Sequence, residues 1–282
     1  MTETPWGKRR DRALHLAELL PHSRQMLEFY GRLLALQESV HREVVGCDWF
    51  DGVRRNAQGS SPRSWLEQLP VHDLLSHFDG FLADLIPAAT QVLSTIAHSL
   101  RGGDAELRVD LLRAFTSGRP ADDVCARLEC ERVQLEFFPR AFFQPVMEAS
   151  ARQNGTGYID WSENVCPYCK SLPQVAVIRD DKDHKGRRYL VCALCSTEWT
   201  FPRLDCPSCR ETNPDKLVYH VPDSLAHIRV EECKECRRYI KSVDLRVDGT
   251  AVPVVDDVAT VELDLWSAER GLQKIQRNVL GF

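Results

Sequence analysis

The sequence predicts an α+β fold: an N-terminal all-helical domain, two consecutive rubredoxin-like or zinc-ribbon modules of four cysteines each, and a short C-terminal helix. Three observations carry this expectation. Through the first 153 residues, apolar side chains recur every three to four positions, which is the helical period. From about residue 173 they fall instead in short β runs separated by turn signals. Eight of the 11 cysteines lie between Cys166 and Cys236, arranged as four Cys-x-x-Cys pairs.

The 282 residues suggest roughly two domains, and the expected boundaries are 1–158, 159–204 and 205–282. The first helix with clear periodicity runs from Ser23 to Val45, with His22 or Ser23 as cap and Gly46 and Asp48 at its end. Gly59 to Pro62 reads as a loop. A second helical stretch, Val71 to Leu100, is expected to kink or break at Pro87. Asp104 is a candidate cap for a helix ending near Ser117. Two more helices are expected at 121–129 and 132–153, the last made irregular by Pro139 and Pro145. Asn154 to Gly157 reads as a linker. Beyond it, Val175–Ile178 and Arg188–Val191 form one strand pair around a polar turn at Asp180–Gly186. Leu217–Val221 and Ala226–Val230 form another around Pro222-Asp223-Ser224. A terminal helix is expected from about Val258 to Arg277.

The cysteine pairs are Cys166/Cys169, Cys192/Cys195, Cys206/Cys209 and Cys233/Cys236. A Cys-x-x-Cys turn presents two sulfurs to one ion, and two such turns complete a tetrahedron of thiolates. There are 22 residues between Cys169 and Cys192 and 23 between Cys209 and Cys233, each enough for one hairpin. Pairing in sequence order therefore gives two four-cysteine sites, although interleaved pairings of the first turn with the third or fourth remain open. Four thiolates suit zinc and also a single iron. Such a site is coordinatively closed, so its ion is structural or electron-carrying rather than hydrolytic. Binding at a zinc-finger-like site contributes roughly 10–16 kcal/mol, so each ribbon is expected to depend on its metal. The residues after each second cysteine are Lys170, Ser196, Arg210 and Arg237, where such turns favour glycine for its positive φ.

Composition narrows the function. The formal charge is −5, and two tetrathiolate sites would lower it to about −9, opposite in sign to what phosphate neutralisation requires. No apolar run is long enough for a membrane span. The polar start lacks the apolar core of a secretory signal, so a cytoplasmic location is expected, where thiols stay reduced. A nucleic-acid-binding zinc ribbon and a thiol or iron redox protein are the alternative readings.

The run Tyr189-Leu190-Val191-Cys192-Ala193-Leu194-Cys195-Ser196-Thr197-Glu198-Trp199, then Arg203 and Cys206-Pro207-Ser208-Cys209, resembles the centre of the formate dehydrogenase accessory protein FdhE family. Ser171-x-Pro173 with Val175 and Arg179 is similar to that family's first ribbon. The C-terminal pattern is also similar: Cys233-x-x-Cys236, Tyr239-Ile240-Lys241, Asp256-Asp257-Val258-Ala259-Thr260, Leu263-Asp264 and Asn278-Val279-Leu280-Gly281-Phe282. The resemblance covers about residues 160–282 specifically and the helical half loosely. It implies a non-enzymatic cytoplasmic factor that helps mature respiratory formate dehydrogenases by binding the catalytic subunit, with two metal ions, iron or zinc, in the cysteine sites. Homodimerisation is left open.

Other residues carry two readings. Glu198, Trp199 and Arg203 are candidates for partner contact, against Trp199 packing one ribbon on the next. Asp256, Asp257, Thr260 and Asp264 are candidates for partner contact, against capping of the terminal helix by Asp257. Cys47, Cys125 and Cys130 read as small buried hydrophobes. His15, His22, His41, His72, His77 and His98 are scattered singly and receive no ligand role. His184 reads as solvated, and His220 and His227 as exposed strand residues or hydrogen-bond supports for the ligands. Leu135, Phe137, Phe138, Phe142 and Phe143 are expected as core between the domains.

Overall fold

The computed structural model describes residues 5–47, 49–50, 66–67, 69–153, 161–222 and 225–282. The expected Gly59–Pro62 loop, the Asn154–Gly157 linker and part of the Pro222–Ser224 turn lie outside them. The chain forms two units: Met1–Glu28 with Thr156–Leu280 and Phe282, and Phe29–Gly155 with Gly281. The first 28 residues, expected with the helical domain, thus cluster with the cysteine ribbons.

In the helical unit, α2 (Arg24–Val45) continues from the preceding residues, and α3 (Val71–Leu85) and α4 (Gln91–Gly102) follow it. A 3-10 turn at Ile86–Ala88 separates α3 from α4 at Pro87, as the sequence predicts. The helix α5 (Ala105–Thr116) is capped by Asp104, whose Oδ1 accepts from the Leu107 amide at 2.8 Å. Next come α6 (Asp122–Leu128) and α7 (Arg132–Gln153). Pro139 and Pro145 do not interrupt α7, which runs through both. Its aromatic face packs into the core of this unit: Phe142 meets Phe78 at 5.1 Å between ring centroids, and Phe143 stacks on Phe115 at 5.2 Å.

The other unit is built on one sheet. The strands are β1 (Pro173–Arg179), β2 (Arg187–Cys192), β3 (Glu198–Thr200), β4 (Leu217–His220), β5 (Ile228–Cys233), β6 (Arg238–Asp244) and β7 (Gln273–Lys274). Their order is β3-β2-β1-β6-β5-β4, with β7 pairing β6. The first three strands and the next three are the same antiparallel meander written twice. Pro173 pairs Cys192 in the first and Leu217 pairs Cys233 in the second, so each second hairpin strand delivers a cysteine at its end. The repeats join through β1 and β6, which run parallel with Val175 opposite Lys241 and Val177 opposite Val243. The two ribbons are therefore halves of a continuous sheet, because β6 supplies the edge that β1 needs.

One face of that sheet carries Val175, Val177, Val191, Ile228 and Val243, packed with Ala251, Val254 and Leu263. The expected terminal helix is instead two short ones, α8 (Pro253–Ala259) and α9 (Val261–Glu269), followed by β7. The break falls at Thr260, whose Oγ1 donates to the Asp256 carbonyl at 2.8 Å. The first helix, α1 (Pro5–Leu19), packs on α8. Ser23 does not cap α2; its Oγ donates to the Ala259 carbonyl.

Candidate metal centres

The sheet topology brings the cysteine turns together in sequence order. Cys166, Cys169, Cys192 and Cys195 form one cluster, and Cys206, Cys209, Cys233 and Cys236 the other. In each, the four sulfurs lie within 4.8 Å of one another. In the first cluster the sulfur separations include 3.5 Å for Cys166–Cys195, 3.3 Å for Cys169–Cys192 and 3.6 Å for Cys169–Cys195. In the second, Cys206–Cys236 is 3.8 Å and Cys209–Cys233 is 3.7 Å. A regular tetrahedron with metal–sulfur bonds of about 2.3 Å has edges of about 3.8 Å. The second cluster already has that size and the first is slightly tighter. The donor sets thus fit one soft, four-coordinate divalent ion each.

Backbone amides point at the sulfurs. Cys166 Sγ accepts from the Tyr168 and Cys169 amides at 3.3 and 3.5 Å, and Cys192 Sγ accepts from Leu194 and Cys195 at 3.3 and 3.4 Å. Cys206 Sγ accepts from Ser208 at 3.4 Å. Such donors stabilise thiolate character. Crowding works against it: burial pushes the Cys192 and Cys195 thiols well up, while hydrogen bonds from Cys166, Cys192 and Cys195 draw Cys169 well down. In the second cluster burial likewise raises Cys206 and Cys233, while Cys236, despite its burial, ends lower through bonds from the Arg238 amide and neighbouring thiols. Four sulfurs this close ionise together only around a cation, which supplies the opposing charge.

The turns have the backbone that glycine would favour, without glycine. Lys170, Ser196, Arg210 and Arg237 have φ of 60°, 56°, 67° and 57°. The amides of Lys170, Arg210 and Arg237 close their turns on the Cys166, Cys206 and Cys233 carbonyls at 3.0, 3.0 and 2.9 Å. Their cationic side chains are used nearby. Lys170 Nζ lies 3.8 Å above the Trp161 ring, Arg210 Nη1 donates to the Ser162 carbonyl at 2.6 Å, and Arg237 Nη2 donates to the Arg270 carbonyl at 2.5 Å.

The clusters differ in exposure. All four cysteines of the first are buried, whereas Cys209 is exposed and Cys236 half-buried in the second. Segment 161–165 links them: Trp199 Nε1 donates to the Glu163 carbonyl, and Asn164 Nδ2 donates to the Ser208 carbonyl at 2.9 Å.

The residues expected at a partner surface separate into two groups. Glu198 is on the surface, paired with Arg179, and Arg203 is exposed with Nη1 donating to the Gly186 carbonyl at 3.0 Å. Trp199 is buried, in keeping with packing rather than contact. Asp256, Asp257, Thr260 and Asp264 are all buried, so they offer a partner no exposed face. Nor does Asp257 cap α8: the Val252 amide bonds Asp256 Oδ2 instead, at 2.8 Å. Burying these carboxylates requires cations beside them. Lys241, fully buried on β6, reaches Asp264 Oδ2 at 2.7 Å, Asp257 Oδ1 at 3.1 Å and the Thr260 carbonyl. Lys274 on β7 reaches Asp257 Oδ1 at 2.6 Å, and the Tyr239 hydroxyl donates to Asp264 at 2.8 Å. Asp256 is held by Arg12 Nη2 at 2.5 Å and by His227 Nε2 at 2.9 Å. His227 is therefore an internal partner, not an exposed strand residue; His220 pairs with Glu232 at 2.9 Å. Lys241 shares its strand face with Tyr239 and Val243, and a lysine at such a position was the available signal of a buried ion network.

Comparison with known proteins agrees with this architecture. Residues 165–203 match the family domain described as FdhE, central domain, and residues 204–280 match FdhE, C-terminal domain. The Protein FdhE homolog of Aquifex aeolicus is 31% identical over 271 residues, covering 95% of this chain and 92% of that protein. The homolog of Stutzerimonas stutzeri is 39% identical over 119 residues, 42% of this chain and 38% of its own. The crystal structure of the FdhE protein from Pseudomonas aeruginosa superposes with a TM-score of 0.71 at 24% identity, over 99% of this chain and 96% of that one, a likeness of fold. With a relative this similar along nearly its whole length and two matching family domains, the chain belongs to the FdhE family.

Proposed function

We propose that the protein is a non-enzymatic accessory factor in the maturation of respiratory formate dehydrogenase, working in the cytoplasm and binding the enzyme's catalytic subunit. The observation that carries this reading is family membership along 95% of the chain, including both cysteine ribbons. The chemistry of the clusters supports it. Eight sulfurs are gathered in two clusters of four, each able to take one iron or zinc ion, and four thiolates on one ion leave no open position for substrate. An ion in each would fix the ends of the hairpins and so stiffen a surface for docking. Among the described residues no helix is long and apolar enough to cross a membrane.

We place partner contact on the exposed side of the segment from β3 toward the third cysteine turn, residues 198–204. Glu198 and Arg203 present opposite charges there, and Leu204 is 59% exposed beside Arg203. Co-purification with the catalytic subunit tests the reading. The wild-type chain is expected to retain it, the Arg203→Glu, Leu204→Asp double variant to lose it while keeping its metal, and Cys192→Ser with Cys195→Ser to lose both. Failure of the metal-loaded wild type to retain the catalytic subunit overturns the proposal.

A further inference from the structure

Three cysteines take no part in the metal clusters, and one of them has company the sequence did not reveal. Cys47 follows the last turn of α2; its Sγ donates to the Glu43 carbonyl at 3.4 Å and lies 3.5 Å from His77 Nε2, on α3. The opposite ring nitrogen, His77 Nδ1, lies 3.2 Å from Glu43 Oε2. The other carboxylate oxygen of Glu43 accepts from the Ser39 hydroxyl at 3.2 Å. A thiol, an imidazole and a carboxylate thus stand in line, with the carboxylate itself oriented. His77 reads as an isolated histidine in the sequence only because it is 30 residues from its thiol, on another helix.

The order of the groups assigns their roles. A carboxylate facing Nδ1 selects the tautomer with its proton there, which leaves Nε2 bare and aimed at the sulfur. The thiol is half-buried and the histidine partly exposed, so small reagents reach both. A nucleophile within hydrogen-bond reach of a base that is oriented by a third group is the signature of an activated thiol. The remaining pair lacks this arrangement: Cys125 and Cys130 are free thiols hydrogen-bonded to one another, and burial pushes the Cys130 thiol up to about 11.

We propose that Cys47 is a covalent modification site that takes small disulfides by thiol–disulfide exchange, with His77 as general base and Glu43 as its positioning residue. This inference concerns the helical unit and does not rest on partner binding. Sγ attacks one sulfur of the disulfide, and the new S–S bond forms as the old one breaks. The Cys47 proton passes to His77 Nε2 and from there to the departing sulfur. The products are a mixed disulfide on Cys47 and one free thiol. The cysteine is oxidised and the departing sulfur reduced, so no other oxidant enters.

The test uses the full metal-loaded chain, oxidised glutathione at neutral pH, and time-resolved peptide mapping by mass spectrometry. Cys47 is expected to be modified at least about 10-fold faster than Cys125 or Cys130, and His77→Gln to slow it about 10-fold or more. Glu43→Gln, at a side chain that is half exposed and so tolerant of replacement, is expected to slow Cys47 about three-fold through loss of orientation. The rates at Cys125 and Cys130 serve as the internal control for folding and are expected to stay the same. Equal rates at the three cysteines overturn the proposal. So does a Cys47 rate unmoved by Glu43→Gln and His77→Gln in variants whose control rates are intact.

Discussion

Arg188 on β2 and Glu231 on β5 meet at 2.6 Å across the two strands that separate them in the sheet, both side chains buried. This ion pair links the duplicated ribbons. Arg188 also donates through Nη1 to the Pro202 and Asp205 carbonyls at 3.1 and 3.0 Å, which fixes the segment leading into Cys206. Glu231 is shared with Arg229 at 2.8 Å.

Removing one member of a buried pair costs up to about 3–5 kcal/mol, and here somewhat less, because Arg229 still holds the other oxygen of Glu231. Arg188→Met is therefore expected to destabilise the metal-loaded chain by about that amount in chemical denaturation. It should also speed metal loss from the second cluster, because the Asp205 carbonyl loses its anchor one residue before Cys206. Replacing both residues, Arg188→Met with Glu231→Leu, is expected to recover part of the stability without recovering that anchor. Equal stability of Arg188→Met and wild type would refute the pair's structural role.

The unequal burial of the clusters predicts stepwise metal release. A chelator must approach the metal or a sulfur, and only the second cluster exposes one, Cys209, with Cys236 half open. Treatment of the two-metal protein with excess chelator at neutral pH is expected to release one equivalent at least about 10-fold faster than the other. Cys209 and Cys236 should be the first cluster thiols alkylated as it leaves. Release of both ions in a single phase would show that exposure does not control exchange.

Much of this was legible in the sequence, for reasons that can be named. Cysteine spacing favours pairing the turns in sequence order while leaving interleaved pairings open, and the sheet brings them together in sequence order. Helical period and the Asp104 cap are local signals, and the helices they predicted are present. What the sequence hid is long-range. Nothing near β6 announces that it will pair β1 in parallel and fuse two ribbons into one sheet. Asp256 and Asp257 look like surface carboxylates until Arg12, Lys241 and Lys274, distant in sequence, are placed beside them. Thr260 breaks the terminal helix through tertiary placement as well as its own hydroxyl bond.

The positive-φ turns predict a gain from glycine where the side chain is not otherwise used. A left-handed non-glycine residue costs about 1–2 kcal/mol, and glycine relieves that but gives up about 0.4–1 kcal/mol through the greater freedom of the unfolded chain. Ser196→Gly is thus expected to raise stability by about 0.5 kcal/mol. Arg237→Gly should gain less or lose, because it surrenders the bond to the Arg270 carbonyl and the pairing with Glu232 at 3.6 Å. Thermal denaturation of the two variants side by side decides it. Destabilisation by Ser196→Gly would mean that its backbone is not strained as its φ of 56° implies.

Acid should act on the contact between Arg12 and Asp256. Burial alone would raise the Asp256 carboxyl, but bonds from His227 and Arg12 and the Arg12 charge hold it below the usual value of 3.8. Asp248 is brought down to about 2, against the opposing effect of burial, by bonds from the Thr250 hydroxyl and amide and then by Arg12, which meets it at 2.9 Å. A carboxylate whose folded pKa is depressed contributes stability that is complete above its unfolded value and disappears as pH falls through the folded one. Arg12→Met removes the cation that depresses both. Its destabilisation is expected to be about 3 kcal/mol at pH 7, to hold steady down to about pH 5, and to shrink toward pH 2 as the wild type loses the same advantage. Denaturant titrations of both chains across that range measure the difference. A gap that stays constant into acid would assign the role of Arg12 to packing of α1 on α8 rather than to its charge.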